Sequence, residues 1–300
     1  MTKVLITGAN SFVGKNFLKF SRYSDTEEVS LIDTMPEDIE FEKFDVVLHL
    51  AAIVHQSKKI TEEEYFSVNR DLCIQVAELS KKVGIKQFVF LSTLKVYGES
   101  VISSELRNED SECHPDDFYG KSKYAAERGL QKLEDADFKV SIIRTPLVYG
   151  EGVKANMINL IKIIDYFPLL PLGKTENKRN FTFAENLVGF IDQIIEKNVS
   201  GIFIAMDEKA LSTTELVNYI SKYMGKKTYL FKMPEFVYRI CSLFIPEIFD
   251  RLYGSLSFEN SKTRAVLNYT PPFSTDEGIK KMVTYYLECK RLKVKERTEL

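Results

Sequence analysis

The opening stretch MTKVLITGANSFVG constrains this chain more than any other part of it. A continuous apolar run, Val4–Thr7, passes directly into a glycine turn and then into an amphipathic pattern from Phe12 to about Tyr23. A strand covered on both faces reads as such a run, without polar alternation. Gly8 and Gly14 take the first and third places of a GxxGxxG-type dinucleotide turn, and Ser11 stands where the middle glycine usually is. Such a turn sets backbone N–H groups and a helix N-terminus against a pyrophosphate. The candidate cofactor-binding residues here are therefore Gly8, Asn10, Ser11, Phe12, Val13 and Gly14. The Cβ of Ser11 narrows the approach, and a strand–helix turn that holds no ligand is the competing reading.

Asp33 closes the second expected strand, Val29–Asp33, 19 residues after Gly14. A carboxylate there accepts from adenosine ribose hydroxyls and repels a 2′-phosphate, which favours NAD but does not exclude NADP. A simple turn aspartate is the alternative. About a dozen residues then lead to the next strand at Val46. They leave no room for a further helix and strand, so the adenine side of the pocket is expected to be abbreviated. The segment DVVLHLAA, residues 45–52, ends its strand (Val46–Ala51) in Leu50, Ala51 and Ala52, small enough at the alanines for a cofactor to lie close.

Strands and helices go on alternating. Helices are expected over 62–83, 119–133 and 185–197, and strands over 87–92, 140–144 and 201–205. This rhythm predicts an α/β fold, a Rossmann-type doubly wound parallel sheet. Residues 1–150 read as the dinucleotide-binding domain, with the sheet completed by about 182–205. Residues 151–181 and 206–290 read as a smaller C-terminal substrate lobe, and 291–300 as a charged tail. With 41 Lys and Arg against 43 Asp and Glu, the chain lacks the basic excess of a nucleic-acid binder. The four cysteines are far apart and show no metal-ligand spacing, so no metal is expected and reduced thiols are. The apolar stretch Phe236–Phe249 is too short and too interrupted to span a bilayer. It reads as a substrate-lobe helix, with peripheral membrane contact as the minor alternative. No signal peptide is read at the N-terminus, and a cytoplasmic location is expected.

The chemistry concentrates in Tyr119-Gly120-Lys121-Ser122-Lys123. A YxxxK spacing at the start of a helix puts both side chains on one face. An ammonium beside a phenol favours the phenolate, so the Tyr119 pKa is expected to fall below its ordinary ~10. The pair can then exchange a proton with a sugar hydroxyl or carbonyl while hydride moves to or from a nicotinamide. Upstream, FVFLSTLKVYG delivers the Thr93 hydroxyl toward the same oxygen, and Asn69 on the preceding helix is placed to orient the network or simply to satisfy that helix.

Taken together, TGANSFVG, DVVLHLAA, Val68-Asn69, LSTLKVYG, YGKSK and IIRTPLVYG resemble the extended short-chain dehydrogenases/reductases, the NAD-dependent epimerase/dehydratase family, over nearly the whole chain. The resemblance implies Thr93, Tyr119 and Lys123 as the catalytic triad, with Lys123 also holding the nicotinamide ribose. It implies Asn156 and Arg179 on the diphosphate of a UDP-sugar and His55 as a further substrate residue, a generic histidine being as good a reading of His55. A homodimer built from helices near 62–83 and 119–133 is implied as well. The dehydratases of the family carry an Asp-Glu pair after the threonine, where this chain has Leu94 and Lys95. UDP-galactose 4-epimerases usually carry a lysine near Val54-His55 and an asparagine at Leu147. These departures, and segments such as LVYGEGVKAN, point first to a 4-keto reductase of a UDP-6-deoxy-hexosamine in surface-polysaccharide precursor synthesis. A UDP-hexose or UDP-N-acetylhexosamine 4-epimerase with retained NAD is second. A non-catalytic nucleotide-binding protein, a third class, has no use for the complete triad.

Overall fold

In the computed structural model of the chain, residues 1–54, 60–98 and 106–298 are described. The first strand, β1 (Val4–Thr7), is buried along its whole length and feeds α1 (Phe12–Phe20). Ser11 caps that helix, its hydroxyl accepting from the Gly14 N–H at 3.0 Å. Then come β2 (Thr26–Val29), β3 (Val46–His49), α2 (Glu62–Phe66) and α3 (Cys73–Lys82). They are followed by β4 (Gln87–Thr93), α4 (Phe118–Leu133), β5 (Lys139–Thr145) and β6 (Leu147–Tyr149). The remainder is α5 (Ala155–Tyr166), β7 (Leu169–Leu170), β8 (Phe181–Phe183), α6 (Ala184–Lys197), β9 (Gly201–Ile204), α7 (Thr213–Met224) and β10 (Tyr229–Leu230), then α8 (Glu235–Phe244), α9 (Pro246–Tyr253), α10 (Ser261–Leu267) and α11 (Thr275–Thr298).

The main sheet runs β2-β1-β3-β4-β5-β9, parallel throughout. Alternate residues of each strand serve opposite faces. Val4, Ile6, Val46, Leu48, Val89 and Ile143 meet α1 and α6. Leu5, Val47, Phe88, Phe90, Val140 and Ile142 meet α3 and α4. Each fully buried side chain of this size contributes about 1.5–3 kcal/mol, so both faces are firmly held. The chain steps outward from β1 to β2, then crosses back to β3 on the other side of β1. That reversal opens a crevice at the C-terminal ends of β1 and β3, where doubly wound sheets bind ligands.

Two expectations about the edge of the sheet come out differently. Between Val29 and Val46 there are only two 3₁₀ turns, Pro36–Asp38 and Phe41–Lys43, so the adenine side is short, as the residue count required. The second strand, however, is Thr26–Val29 and not Val29–Asp33. The more apolar VSLI stretch was misleading. Gly8 and Ala9 both donate to the Val29 carbonyl, which ends the ladder there. An edge strand tolerates the charged Glu27 because that side chain meets solvent, whereas Glu28 turns its Oε1 inward toward Gly14. Asp33 therefore sits in an exposed turn, its carboxylate accepting from the Ser30 hydroxyl at 2.6 Å.

The expected strand at 201–205 does return to the sheet, with Ser141 opposite Gly201. A second core gathers α5, α7, α11 and the β6–β8 pair around Phe183, Ile161, Val217 and Met282. The small β7–β10 pair lies on this lobe. No helix among the described residues is long and apolar enough to cross a membrane.

Candidate active site

The glycine turn is built for close approach. Gly8 takes φ +106°, and a Cβ there would lie 2.6 Å from the Ala51 nitrogen. Only glycine allows the β1–α1 turn to rest on the end of β3, where the Leu50 N–H donates to the Thr7 carbonyl at 2.8 Å. Asn10 adopts a left-handed φ of 63°, which asparagine tolerates. Ser11 does not block the turn, because its hydroxyl folds inward to cap α1. The edge of the Gly14 backbone faces Ser11 Oγ and Glu28 Oε1, each under 3 Å from where a Cβ would be. Phe12 and Val13 root the helix in the core beneath.

Beyond the crevice, β4 ends at Thr93 and α4 begins just before Tyr119. Asp117 caps α4, its carboxylate accepting from the Gly120 N–H at 2.6 Å. This places Tyr119 in the first turn and Lys123 one turn further on. The Thr93 side chain stands beside the Tyr119 phenol and pulls its pKa down. Lys123 is buried, its ammonium 4.1 Å above the centre of the Phe90 ring. That burial lowers its pKa to about 8.

The electrostatics of the phenol correct the expectation from spacing. The Tyr119 pKa is raised, first by burial, then by the Asp117 carboxylate and the neighbouring Tyr65, with Thr93 pulling the other way. The loss of water around the hydroxyl outweighs the help of nearby polar groups. The phenol thus rests in its protonated form.

Three supports for the site were not singled out by sequence reasoning, or only in part. Asn69 lies in a π-helical turn, Ser67–Leu72, that widens the joint between α2 and α3. Its side chain accepts from the Ile53 N–H at 2.8 Å and donates to the Ile53 carbonyl and to Ser122 Oγ. It thereby ties the strand-end segment to α4 beside Tyr119 and Lys123; such widened turns recur at functional sites. His49, inside the DVVLHLAA segment, is buried with Nδ1 2.7 Å from Thr7 Oγ1. Burial and the nearby Lys123 charge hold its pKa near about 3, so the imidazole is neutral. Glu127 extends the Tyr119, Lys123 spacing by one more turn. It accepts from Ser92 Oγ at 2.5 Å and from Arg144 in a fork, at 2.6 Å to Nη2. This buried pair stands directly behind Thr93.

At the two positions after Thr93, Leu94 is buried in a local core with Val96 and Tyr97. Lys95 pairs with Asp117 at 2.5 Å. Neither offers the carboxyl pair that water loss would need. Asn156 is exposed in the first turn of α5. Arg179 is half-buried, and its Nη1 donates to the Asp250 and Arg251 carbonyls in α9 at 2.8 Å each. Much of its guanidinium is therefore committed to holding α9 in place. His55 lies outside the described residues.

The residues present fit a dinucleotide. The Gly8 cradle, which a Cβ would fill, leaves backbone open at the strand ends, and Lys123 lies beyond it beside Phe90. Among the described residues, no three His, Cys, Asp or Glu side chains gather to hold a metal ion.

Residues 4–203 match the sequence model of the NAD dependent epimerase/dehydratase family. The UDP-glucose 4-epimerase of Vibrio cholerae is 31% identical, over 95% of this chain and 96% of that protein. An Escherichia coli O157:H7 N-acetyl-alpha-D-glucosaminyl-diphospho-ditrans,octacis-undecaprenol 4-epimerase is 26% identical over 75% of this chain and 73% of its own. The UDP-glucuronic acid 4-epimerase of Bacillus cereus, solved with NAD, superposes with a TM-score of 0.74 at 20% identity, covering 96% of this chain and 99% of that one. A dTDP-4-dehydrorhamnose reductase of Bacillus anthracis, solved with NADP, also superposes at 0.74, with 20% identity over 96% and 99% of the two chains. An epimerase and a reductase share this fold to the same degree.

Proposed function

Since the chain belongs to the NAD-dependent epimerase/dehydratase family, we propose that it is a 4-epimerase of a UDP-linked hexose or N-acetylhexosamine. The observation that carries the reading is Thr93 beside the Tyr119 phenol with a buried Lys123 one turn on, combined with Leu94 and Lys95 where a dehydratase needs acids. Tyr119 moves the proton at the sugar O4, and Thr93 holds that oxygen. Lys123 holds the nicotinamide ribose. Bound NAD would supply the hydride acceptor at C4. Asn156 and Arg179 are the residues proposed for the diphosphate, and His55 for a further substrate contact. Asn69 and the Glu127–Arg144 pair hold this geometry without touching the reacting atoms. The similarity to the Vibrio cholerae enzyme over almost the full length of both chains supports the reading.

The second reading is a 4-keto reductase of a UDP-6-deoxy-hexosamine. The raised Tyr119 pKa favours it, because a protonated phenol is the form that donates to a ketone. In either reaction the protein works in the cytoplasm, supplies surface-polysaccharide precursors and acts as a homodimer through α2–α3 and α4. One experiment separates the two. The purified protein is denatured and the supernatant assayed for nucleotide. Stoichiometric NAD is expected for the epimerase; an empty site, with NAD(P)H consumed on adding a UDP-4-keto sugar, overturns it in favour of the reductase.

A further inference from the structure

Lys95 stands in a 3₁₀ turn, Leu94–Tyr97, that follows Thr93 directly. It is engaged through its N–H, its carbonyl and its ammonium. The N–H donates to Thr93 Oγ1 at 3.3 Å, which fixes the side chain beside the Tyr119 phenol. The carbonyl receives the first turn of α4. A Cβ on Gly120 would lie 2.9 Å from that oxygen, so α4 comes this close only through a glycine. The ammonium meets Asp117 Oδ2 at 2.5 Å, while Asp117 Oδ1 accepts from the Gly120 N–H at 2.6 Å. Asp117 lies two residues before Tyr119, and Gly120 directly after it. One residue therefore grips Thr93 on one side and the two flanks of Tyr119 on the other.

Burial separates this pair from an ordinary surface contact. The Lys95 and Asp117 side chains are 18 and 31% exposed, and charges largely out of water are little screened by salt. Capping α4 needs only one carboxylate oxygen of Asp117. The ammonium on the second oxygen adds something a cap does not, a tie between α4 and the turn that ends β4. Tyr65 of α2 closes the other side of the phenol, its ring centroid 6.4 Å from that of Tyr119 at an interplanar angle of 59°. Burial and then Asp117 raise the Tyr65 pKa, and Lys95 lowers it, so both charges act on this ring pair.

We propose that Lys95 is a positioning residue of the candidate site: its N–H sets the Thr93 hydroxyl, and its ammonium and carbonyl hold Asp117 and Gly120 so that Tyr119 is presented to the same sugar oxygen. The inference rests on the reading of Tyr119 as the group that moves the proton there. Lys95 acts through Thr93 and Asp117 and takes no part in the chemistry itself. A small misplacement of a reacting group slows the chemical step strongly and need not weaken binding, so the effect belongs on kcat and not on KM.

The test is steady-state kinetics on the full chain. The assays are 4-epimerisation of UDP-glucose and of UDP-N-acetylglucosamine, and NAD(P)H-dependent reduction of a UDP-4-keto sugar. Lys95→Met keeps most of the side-chain length and removes the charge. It should lower kcat about 10- to 100-fold while KM and NAD affinity stay within about twofold of the parent values. Lys95→Arg can still pair with Asp117 and should recover most of the rate. Asp117→Asn keeps an oxygen for the Gly120 N–H and loses the charge. Combined with Lys95→Met, it should lower kcat no further than the worse single variant, because both changes remove one interaction. Losses that multiply, a raised KM at parent kcat, or no recovery in Lys95→Arg overturns the role. Should melting curves show Lys95→Met unfolded, Asp117→Asn decides alone: a lowered kcat at parent KM supports the role, and parent kcat overturns it. No turnover by the parent protein in any assay strikes the reading of Tyr119 and the role of Lys95 together. Parent-like kcat in Lys95→Met strikes the role alone.

Discussion

Tyr119 and Lys123 show how two side chains at a plain helical spacing acquire unlike environments. The phenol faces Thr93, Tyr65 and Asp117, while the amine turns under the sheet to Phe90. Replacing Tyr119 with Phe removes only the hydroxyl. Turnover is expected to fall about 10²- to 10⁴-fold, with UDP affinity retained in calorimetry; near-full activity would refute the assignment. The buried amine makes a different prediction. Its pKa is lowered from 10.5 to about 8 in the folded chain, so the unfolded state binds this proton more tightly between those values. The contribution of Lys123 to stability therefore rises with pH from about 8 to 10.5, and below 8 the buried charge is destabilising by on the order of 3 kcal/mol. A Lys123→Met protein should be inactive yet more stable at pH 7, and its advantage should vanish above pH 10. Urea unfolding across that range measures this directly; a less stable Met variant at pH 7 would contradict it. The four-residue spacing was legible in the sequence, but the direction of the phenol's pKa was not. It depends first on burial of the hydroxyl and then on Asp117 and Tyr65, an environment that only folding assembles.

Among the elements, the glycine turn and the π-helical turn set the floor and the wall of the crevice. A Gly8→Ala substitution would force φ +106° on an L side chain and press its Cβ against the Ala51 backbone. Both effects are incompatible with the present turn, so a loss of more than about 1 kcal/mol of stability is expected, since Ala is strained at positive φ. NAD affinity should drop at least tenfold in a fluorescence titration, and an unchanged affinity would show that the turn is not the cradle. The turn itself was readable because glycine spacing between a strand and a helix is a local signal. The π turn was not. The residues 62–83 read as one uninterrupted helix, and nothing local announces that Asn69 will reach the Ile53 backbone and Ser122. The edge strand was misplaced for a related reason: the hydrogen bonds that end it come from Gly8 and Ala9, distant in sequence.

On the scale of the whole molecule, the short adenine side and the separate second core divide the labour. The parallel sheet carries the glycine turn, and the second lobe carries Asn156 and Arg179, the residues proposed for the diphosphate. Assembly adds a testable consequence. If α2–α3 and α4 of two copies pack together, light scattering at micromolar concentration should return about twice the 34.6 kDa chain mass. A monomer would remove the homodimer from the proposal.

The amino-acid sequence by itself determined the β–α rhythm, the abbreviated adenine side, the Gly8–Gly14 turn and the Thr93, Tyr119, Lys123 set, because each is a matter of local period, spacing or available length. The tertiary structure alone decided where β2 ends, that Arg179 is largely spent on α9, that Lys123 is desolvated beside Phe90, and that α8 shows its apolar side to solvent. Those properties are set by how much water remains around a group and by which distant backbone meets it, and neither quantity exists until the chain has closed on itself.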